Sequence, residues 1–151
     1  MTPDEVRAAQ EDISVHGARV GDFVRLGDTN LIVRVEKDDR EIGNEFQMGF
    51  GKIARDGMGL KSVNCSQSCD LVITNALLID AVAGIKVTSI GIRNGRISAI
   101  GRPGNPDTMD NIDVVVGSGT LVIPGEGLIV TAGGIDTHVH ALSPRVCDAA
   151  L

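Results

Sequence analysis

The stretch that decides the fold is Val87-Thr88-Ser89-Ile90-Gly91-Ile92-Arg93-Asn94-Gly95-Arg96-Ile97-Ser98-Ala99-Ile100. Its two halves are rich in β-branched residues, which strands favour. Between them stands Asn94-Gly95, the dipeptide that gives the strongest short-range signal for a β-hairpin. The stretch therefore predicts two antiparallel strands, Val87 to Ile92 and Arg96 to Ile100.

Short apolar runs on both sides of the hairpin extend this β pattern. The segment Asn30 to Glu36 alternates and predicts a strand with Leu31, Val33 and Val35 inward. Glycine-rich residues 43–59 and residues 101–111 read as loops, and Thr2 with Pro3 and Glu5 as a helix start. Further short strands are predicted at residues 71–73, 77–79, 114–116, 121–123 and 128–130. Strands at this spacing predict a mainly β fold, either a sandwich or an open barrel.

Composition narrows the classes of function. The 151 residues suffice for one domain with a core, and 42% are hydrophobic but only 2% aromatic, which predicts a core of Val, Ile and Leu. The net charge is −6 and no basic block occurs, which argues against a nucleic-acid partner. No apolar run is long enough to cross a bilayer, and the first residues lack the regions of a signal peptide.

The three cysteines, Cys65, Cys69 and Cys147, are odd in number and form no C-x-x-C pair. Reduced thiols in a cytoplasmic protein are the simplest interpretation. The alternative is a zinc knuckle at Cys65 and Cys69, although no second ligand pair stands nearby.

The chemistry-bearing residues lie near the end of the chain. The apolar run Leu128 to Val130 leads through Gly133-Gly134 to His138 and His140. Alternate side chains of an extended strand share a face, so these two histidines predict two ligands of one metal, and Asp136 would lie on the same face. A transition-metal site requires four or more donor atoms. The third histidine, His16, is far upstream in the sequence, so the two histidines do not complete a site.

A strand that ends in metal-binding histidines resembles the first strand of a (β/α)₈ barrel. Such a barrel needs about 250 residues, whereas eleven follow His140. We therefore expect a β-domain at residues 1–127 and, at residues 128–151, the first barrel strand with its metal-ligand motif but without the rest of the barrel.

The motifs resemble a known family. A β-domain followed by Gly-x-Asp-x-His-x-His is similar to the amidohydrolase superfamily, and within it to the N-terminal portion of urease alpha (catalytic) subunits. The resemblance is carried by Thr131-Ala132-Gly133-Gly134-Ile135-Asp136-Thr137-His138-Val139-His140, and upstream by Gly21 to Leu26, Arg55 to Gly59, Asp70 to Ala76 and Gly104 to Asp107. After the motif the chain departs from the usual family wording, with Leu142-Ser143-Pro144-Arg145-Val146.

The resemblance implies urea hydrolysis to ammonia and carbamate or CO₂ at a di-nickel centre. His138 and His140 would bind one Ni²⁺, and Asp136 would either take backbone N–H groups or orient a histidine. The family's remaining ligands lie beyond residue 151, so no catalytic residue is assigned here, and we expect the 151-residue chain to be inactive alone. The implied partners are urea, the urease beta and gamma subunits and nickel-insertion accessory proteins.

Two alternatives remain open beside this function. One is a non-catalytic structural or interaction module that contacts other urease subunits. The other is a different metal-dependent amidohydrolase, with zinc in place of nickel.

Overall fold

Strands dominate the protein, and the mainly β fold predicted from the sequence is confirmed. The computed structural model describes residues 12–44, 59–140 and 142–150. The predicted helix start at Thr2 and most of the predicted loop at residues 43–59 lie outside these ranges. The elements are α1 (residues 12–16), β1 (Phe23–Arg25), β2 (Ile32–Arg34), β3 (Lys37–Asp38), a 3₁₀ turn (Cys65–Gln67), β4 (Leu71–Asp80), β5 (Gly84–Arg93), β6 (Arg96–Gly101), β7 (Pro103–Gly104), β8 (Val114–Val115), β9 (Leu121–Pro124), β10 (Ile129–Thr131) and α2 (Pro144–Ala150). Within the described residues, none of the helices has the length and apolarity that a membrane crossing requires.

The centre of the fold is a six-stranded sheet built around β4 and β5, which pair antiparallel. On one side, β6 pairs antiparallel with β5 and β3 pairs parallel with it. On the other side, β9 and β10 run parallel to β4, one after the other along the same strand. Two small sheets, β1–β2 and β7–β8, complete the architecture.

The hairpin of β5 and β6 forms as the sequence predicts. Arg93 pairs with Arg96, so Asn94 and Gly95 alone make the turn. Both have left-handed backbones, with φ of 51° and 70°. A two-residue turn of this kind requires positive φ at both positions, and Asn followed by Gly adopts it at the lowest steric cost.

The prediction of two separate strands at residues 71–73 and 77–79 is wrong. They are the two halves of one strand, β4, whose register with β5 shifts between Ile73 and Ala76. At the shift Asn75 has φ of 54°, and its backbone N–H donates to Ser89 Oγ on β5 over 3.1 Å. The polar residues that suggested a break are therefore a β-bulge, which bends the strand without ending it.

The core consists mainly of Val, Ile, Leu and Ala side chains, in line with the shortage of aromatics. Most of its buried members form two clusters, one of Ile13, Ala18, Val24, Val35, Leu77 and Val87, the other of Cys69, Val72, Val114 and Val116. The inward position predicted for Leu31 is wrong, since that side chain is 64% exposed. Leu31 precedes β2, and its carbonyl oxygen accepts the Leu26 N–H in the turn that joins β1 to β2.

Candidate metal centre

The segment that carries the histidines leaves the sheet at the end of β10. Ile129 and Thr131 pair with Leu77 and Ile79 of β4, and residues 132–136 have no regular secondary structure. The predicted strand through to His140 is therefore wrong. The physical reason is the length of β4, which ends at Asp80 and so gives β10 almost no backbone partners beyond Thr131.

Asp136 forms the turn that precedes the histidines. Its carboxylate Oδ1 accepts the backbone N–H of His138 over 2.9 Å, a side-chain turn typical of aspartate. Of the two roles considered for Asp136, the acceptance of a backbone N–H is the one with a hydrogen bond in the structure.

The two histidine rings lie next to each other although no strand carries them. The centroids of His138 and His140 are 5.2 Å apart, and the ring planes are inclined at 72°. Both residues are exposed. With metal–nitrogen bonds of about 2.0–2.1 Å, a ring centroid lies about 3.2 Å from the metal, so two rings at about 90–110° around one ion have centroids about 4.5–5.2 Å apart. The separation and inclination are those of an edge-to-face ring contact, and the separation also lies in the range for two ligands of one transition-metal ion.

This pair is a partial site. Among the described residues, no group of three or more His, Cys, Asp or Glu side chains is placed to hold a metal ion. The three cysteines are free thiols, and Cys69 is buried with its Sγ 3.5 Å from Ser98 Oγ. His16 is exposed, and its Nε2 lies 3.9 Å from Asp12 Oδ1 one helical turn away.

Two hydrogen bonds that fix the start of β10 were not predicted from the sequence. The Asn75 amide donates to Glu126 Oε1 over 2.6 Å, and the Gly125 N–H donates to the Thr74 carbonyl over 2.7 Å. These bonds hold the connection between β9 and β10 against the bulge of β4. The sequence could not predict these bonds, because their partners are 51 residues apart and no local sequence pattern connects them.

Sequence reasoning also missed a charged cleft of about 420 Å³ beside β3, β5 and β6. Lys86 Nζ lies 2.7 Å from Asp39 Oδ2, and Thr88 Oγ1 donates to the same oxygen over 2.6 Å. The side chain of Arg102, of which 7% is exposed, pairs with the Glu41 carboxylate. Because these charged side chains already have partners, we interpret the cleft as a structural network of ion pairs and hydrogen bonds that joins strands and loops.

Arg102 is the centre of that network. Its guanidinium donates to the backbone carbonyls of Asp110 and Asn44, over 2.7 and 2.8 Å. Its backbone N–H donates to Asp113 Oδ2 over 3.0 Å. One buried side chain therefore joins the loop of Glu41 and Asn44 to the loop of Asp110.

Comparison with known proteins places this architecture in a family. The model of the urease alpha-subunit N-terminal domain matches residues 7–123. The chain is 59% identical to urease subunit alpha 2 of Streptomyces coelicolor and 58% identical to urease subunit alpha 1 of Streptomyces avermitilis, in each case over 138 residues and 91% of the chain. It spans 25% of the length of these relatives. By its sequence and its mainly β fold, the chain belongs to the urease alpha-subunit family.

Proposed function

We propose that this chain supplies the β-domain and two metal ligands of a urease alpha subunit, an enzyme that hydrolyses urea to ammonia and carbamate or CO₂. The observation that carries the proposal is the pair of adjacent imidazole rings, His138 and His140, with centroids 5.2 Å apart. Membership of the urease alpha-subunit family adds the reaction to that geometry.

In this proposal the two histidines hold one Ni²⁺ of a di-nickel centre. Bound nickel would polarise the urea carbonyl and lower the pKa of a bound water. The chain contributes imidazole nitrogens as the ligands. Asp136 sets the turn between the sheet and His138, and its orientation of a histidine ring stays a proposal.

The partners and the location belong to the same proposal. We infer binding of urea, association with urease beta and gamma subunits, and loading by nickel-insertion accessory proteins, because the relatives are urease alpha subunits. A cytoplasmic location is supported by the three free thiols, the form of cysteine that a reducing compartment maintains.

A second candidate function is a structural module without catalysis. It is favoured by the donor count, because the described residues bring only two imidazoles together. The domain division predicted from the sequence, 1–127 and 128–151, stays a proposal; because β10 pairs with β4, the weak metal-binding tail of this second candidate function would be the part of residues 128–151 that follows Thr131.

Calorimetric titration with Ni²⁺ tests the first proposal. We expect weak binding to the 151-residue chain, lost in a His138→Ala/His140→Ala double variant. A His16→Ala variant is the matched control, because His16 is exposed but far from the pair in sequence, and it should bind as the unsubstituted chain does. Equal affinity in the double variant would contradict the assignment.

An activity assay tests the expectation that these 151 residues alone do not turn over urea. We expect no sustained ammonia release with Ni²⁺ and bicarbonate supplied, since a di-metal centre needs more ligands than two histidines. Sustained release that follows the purified chain through successive columns would overturn this expectation.

A further inference from the structure

In the part of the chain that the structure describes, three asparagines have left-handed backbones: Asn75, Asn94 and Asn111, with φ of 54°, 51° and 55°. Asn75 is half-buried and held by Glu126. Asn94 and Asn111 are exposed, but Asn111 precedes the β-branched Ile112 whereas Asn94 precedes Gly95. A Cβ built on Gly95 would meet no described atom within 4 Å. The peptide nitrogen after Asn94 is therefore the least hindered of the three.

We propose that Asn94 is a site of spontaneous deamidation, and that Asp70 controls its rate. The Gly95 backbone nitrogen attacks the Asn94 side-chain carbonyl carbon, a five-membered succinimide ring closes, and the amide nitrogen leaves as ammonia. Water then opens the ring at either carbonyl and leaves aspartate or isoaspartate at position 94. The site follows from side-chain chemistry and the open hairpin tip, and it does not depend on the proposed urease activity.

The hairpin restrains this reaction. Ring closure requires the Asn94–Gly95 peptide to rotate out of the left-handed turn, so the rate depends on how often the tip opens. The Asp70 carboxylate Oδ2 accepts the Asn94 backbone N–H over 2.6 Å and anchors the tip to the start of β4. The Arg93 guanidinium adds a second anchor at the Ser66 carbonyl. A loss of the Asp70 anchor should therefore expose the reactive conformation more often.

The products would loosen the same hairpin. An aspartate at position 94 tolerates the left-handed backbone but places a second negative charge close to Asp70, and like charges repel. Isoaspartate lengthens the main chain by one carbon inside a turn of two residues, so the Arg93–Arg96 pair cannot keep its register. Each event releases one ammonia per chain, a background that the urea assay must subtract.

Peptide mapping by mass spectrometry after incubation of the folded chain at mildly alkaline pH tests the proposal. We expect modification at Asn94 and not at Asn111, several-fold faster in Asp70→Ala and near the unsubstituted rate in Asp70→Asn, whose amide oxygen still accepts the N–H. The chain unfolded in guanidinium chloride should modify Asn94 fastest, and Asn94→Asp should show no further mass change at the tip.

Modification of Asn111 as fast as Asn94, or an Asp70→Ala rate equal to the unsubstituted rate, would overturn the proposal. Circular dichroism on each variant shows whether the sheet is intact. If Asp70→Ala unfolds, hydrogen exchange at the Asn94 backbone N–H is measured instead in the unsubstituted chain and in Asp70→Asn. Protection of this N–H in both chains supports the Asp70 anchor, and lack of protection in both refutes it.

Discussion

Replacement of Gly91 by alanine should destabilise the protein through one steric contact in the core. A Cβ at this position of β5 would lie 2.7 Å from Cys69 Sγ and 2.8 Å from Val114 Cγ1. Carbon atoms pack best at about 3.5–4.0 Å, so the neighbours must move by about 1 Å. Both neighbours are buried, with 6% and 0% of their surface exposed, and they have little room to retreat.

Such overpacking costs about 1–3 kcal/mol of the free energy of unfolding. Equilibrium unfolding in guanidinium chloride measures it, and urea is avoided because it is the proposed substrate. With a slope of about 4 kcal/mol per M, a loss of about 2 kcal/mol lowers the midpoint by about 0.5 M.

Gly133→Ala is the matched control for this prediction. A Cβ there would meet no described atom within 4 Å, so the change should stay within about 0.5 kcal/mol. A Gly91→Ala/Val114→Ala double variant should lose less than the sum of the two single losses, because Val114→Ala removes the Cγ1 that the new Cβ would meet, and neighbouring residues couple by about 0.5–3 kcal/mol. The same midpoint for Gly91→Ala and Gly133→Ala would refute the packing argument.

Three further predictions follow from the sheet and its turns. The Ala83 and Val82 N–H groups donate to Asp80 and hold the pKa of its carboxyl below the usual range. The stabilisation from the ionised Asp80 should therefore be full above the pKa of the unfolded chain and fade as the pH falls through the lower pKa of the folded chain. On acidification, the melting temperature of Asp80→Asn should fall less than that of the unsubstituted chain. Arg102→Lys should cost about 1–3 kcal/mol in thermal unfolding, since the one nitrogen of a lysine side chain cannot replace the two guanidinium nitrogens that reach the separate carbonyls of Asp110 and Asn44. Glu41→Gln, at an exposed side chain, should cost under about 1 kcal/mol. A chain cut after Thr131 should keep the cooperative unfolding of the whole chain, whereas a cut after Gly127 should lose cooperativity, because β10 pairs with β4.

The local parts of the fold could be predicted from the sequence. The β5–β6 hairpin depends on a turn of two residues, so Asn94-Gly95 carries enough information to specify it. The continuity of β4 could not be predicted, because the bulge at Asn75 is held by Ser89 and Glu126, 14 and 51 residues away. The apolar run Leu121 to Ile123 predicts a strand, but its parallel partner, Leu71 to Ile73, is distant in sequence and leaves no local signal.

The spacing of His138 and His140 correctly predicts that the two rings lie close together, but the strand on which that prediction was based does not reach them. Alternation on a strand predicts that His138 and His140 share a face, yet β10 ends at Thr131. In the structure the turn capped by Asp136 precedes the pair, and the rings still lie 5.2 Å apart. The extent of the strand depends on β4, which ends at Asp80 and offers no further backbone groups. A strand that reached His140 would therefore need partner residues beyond Asp80, where β4 ends.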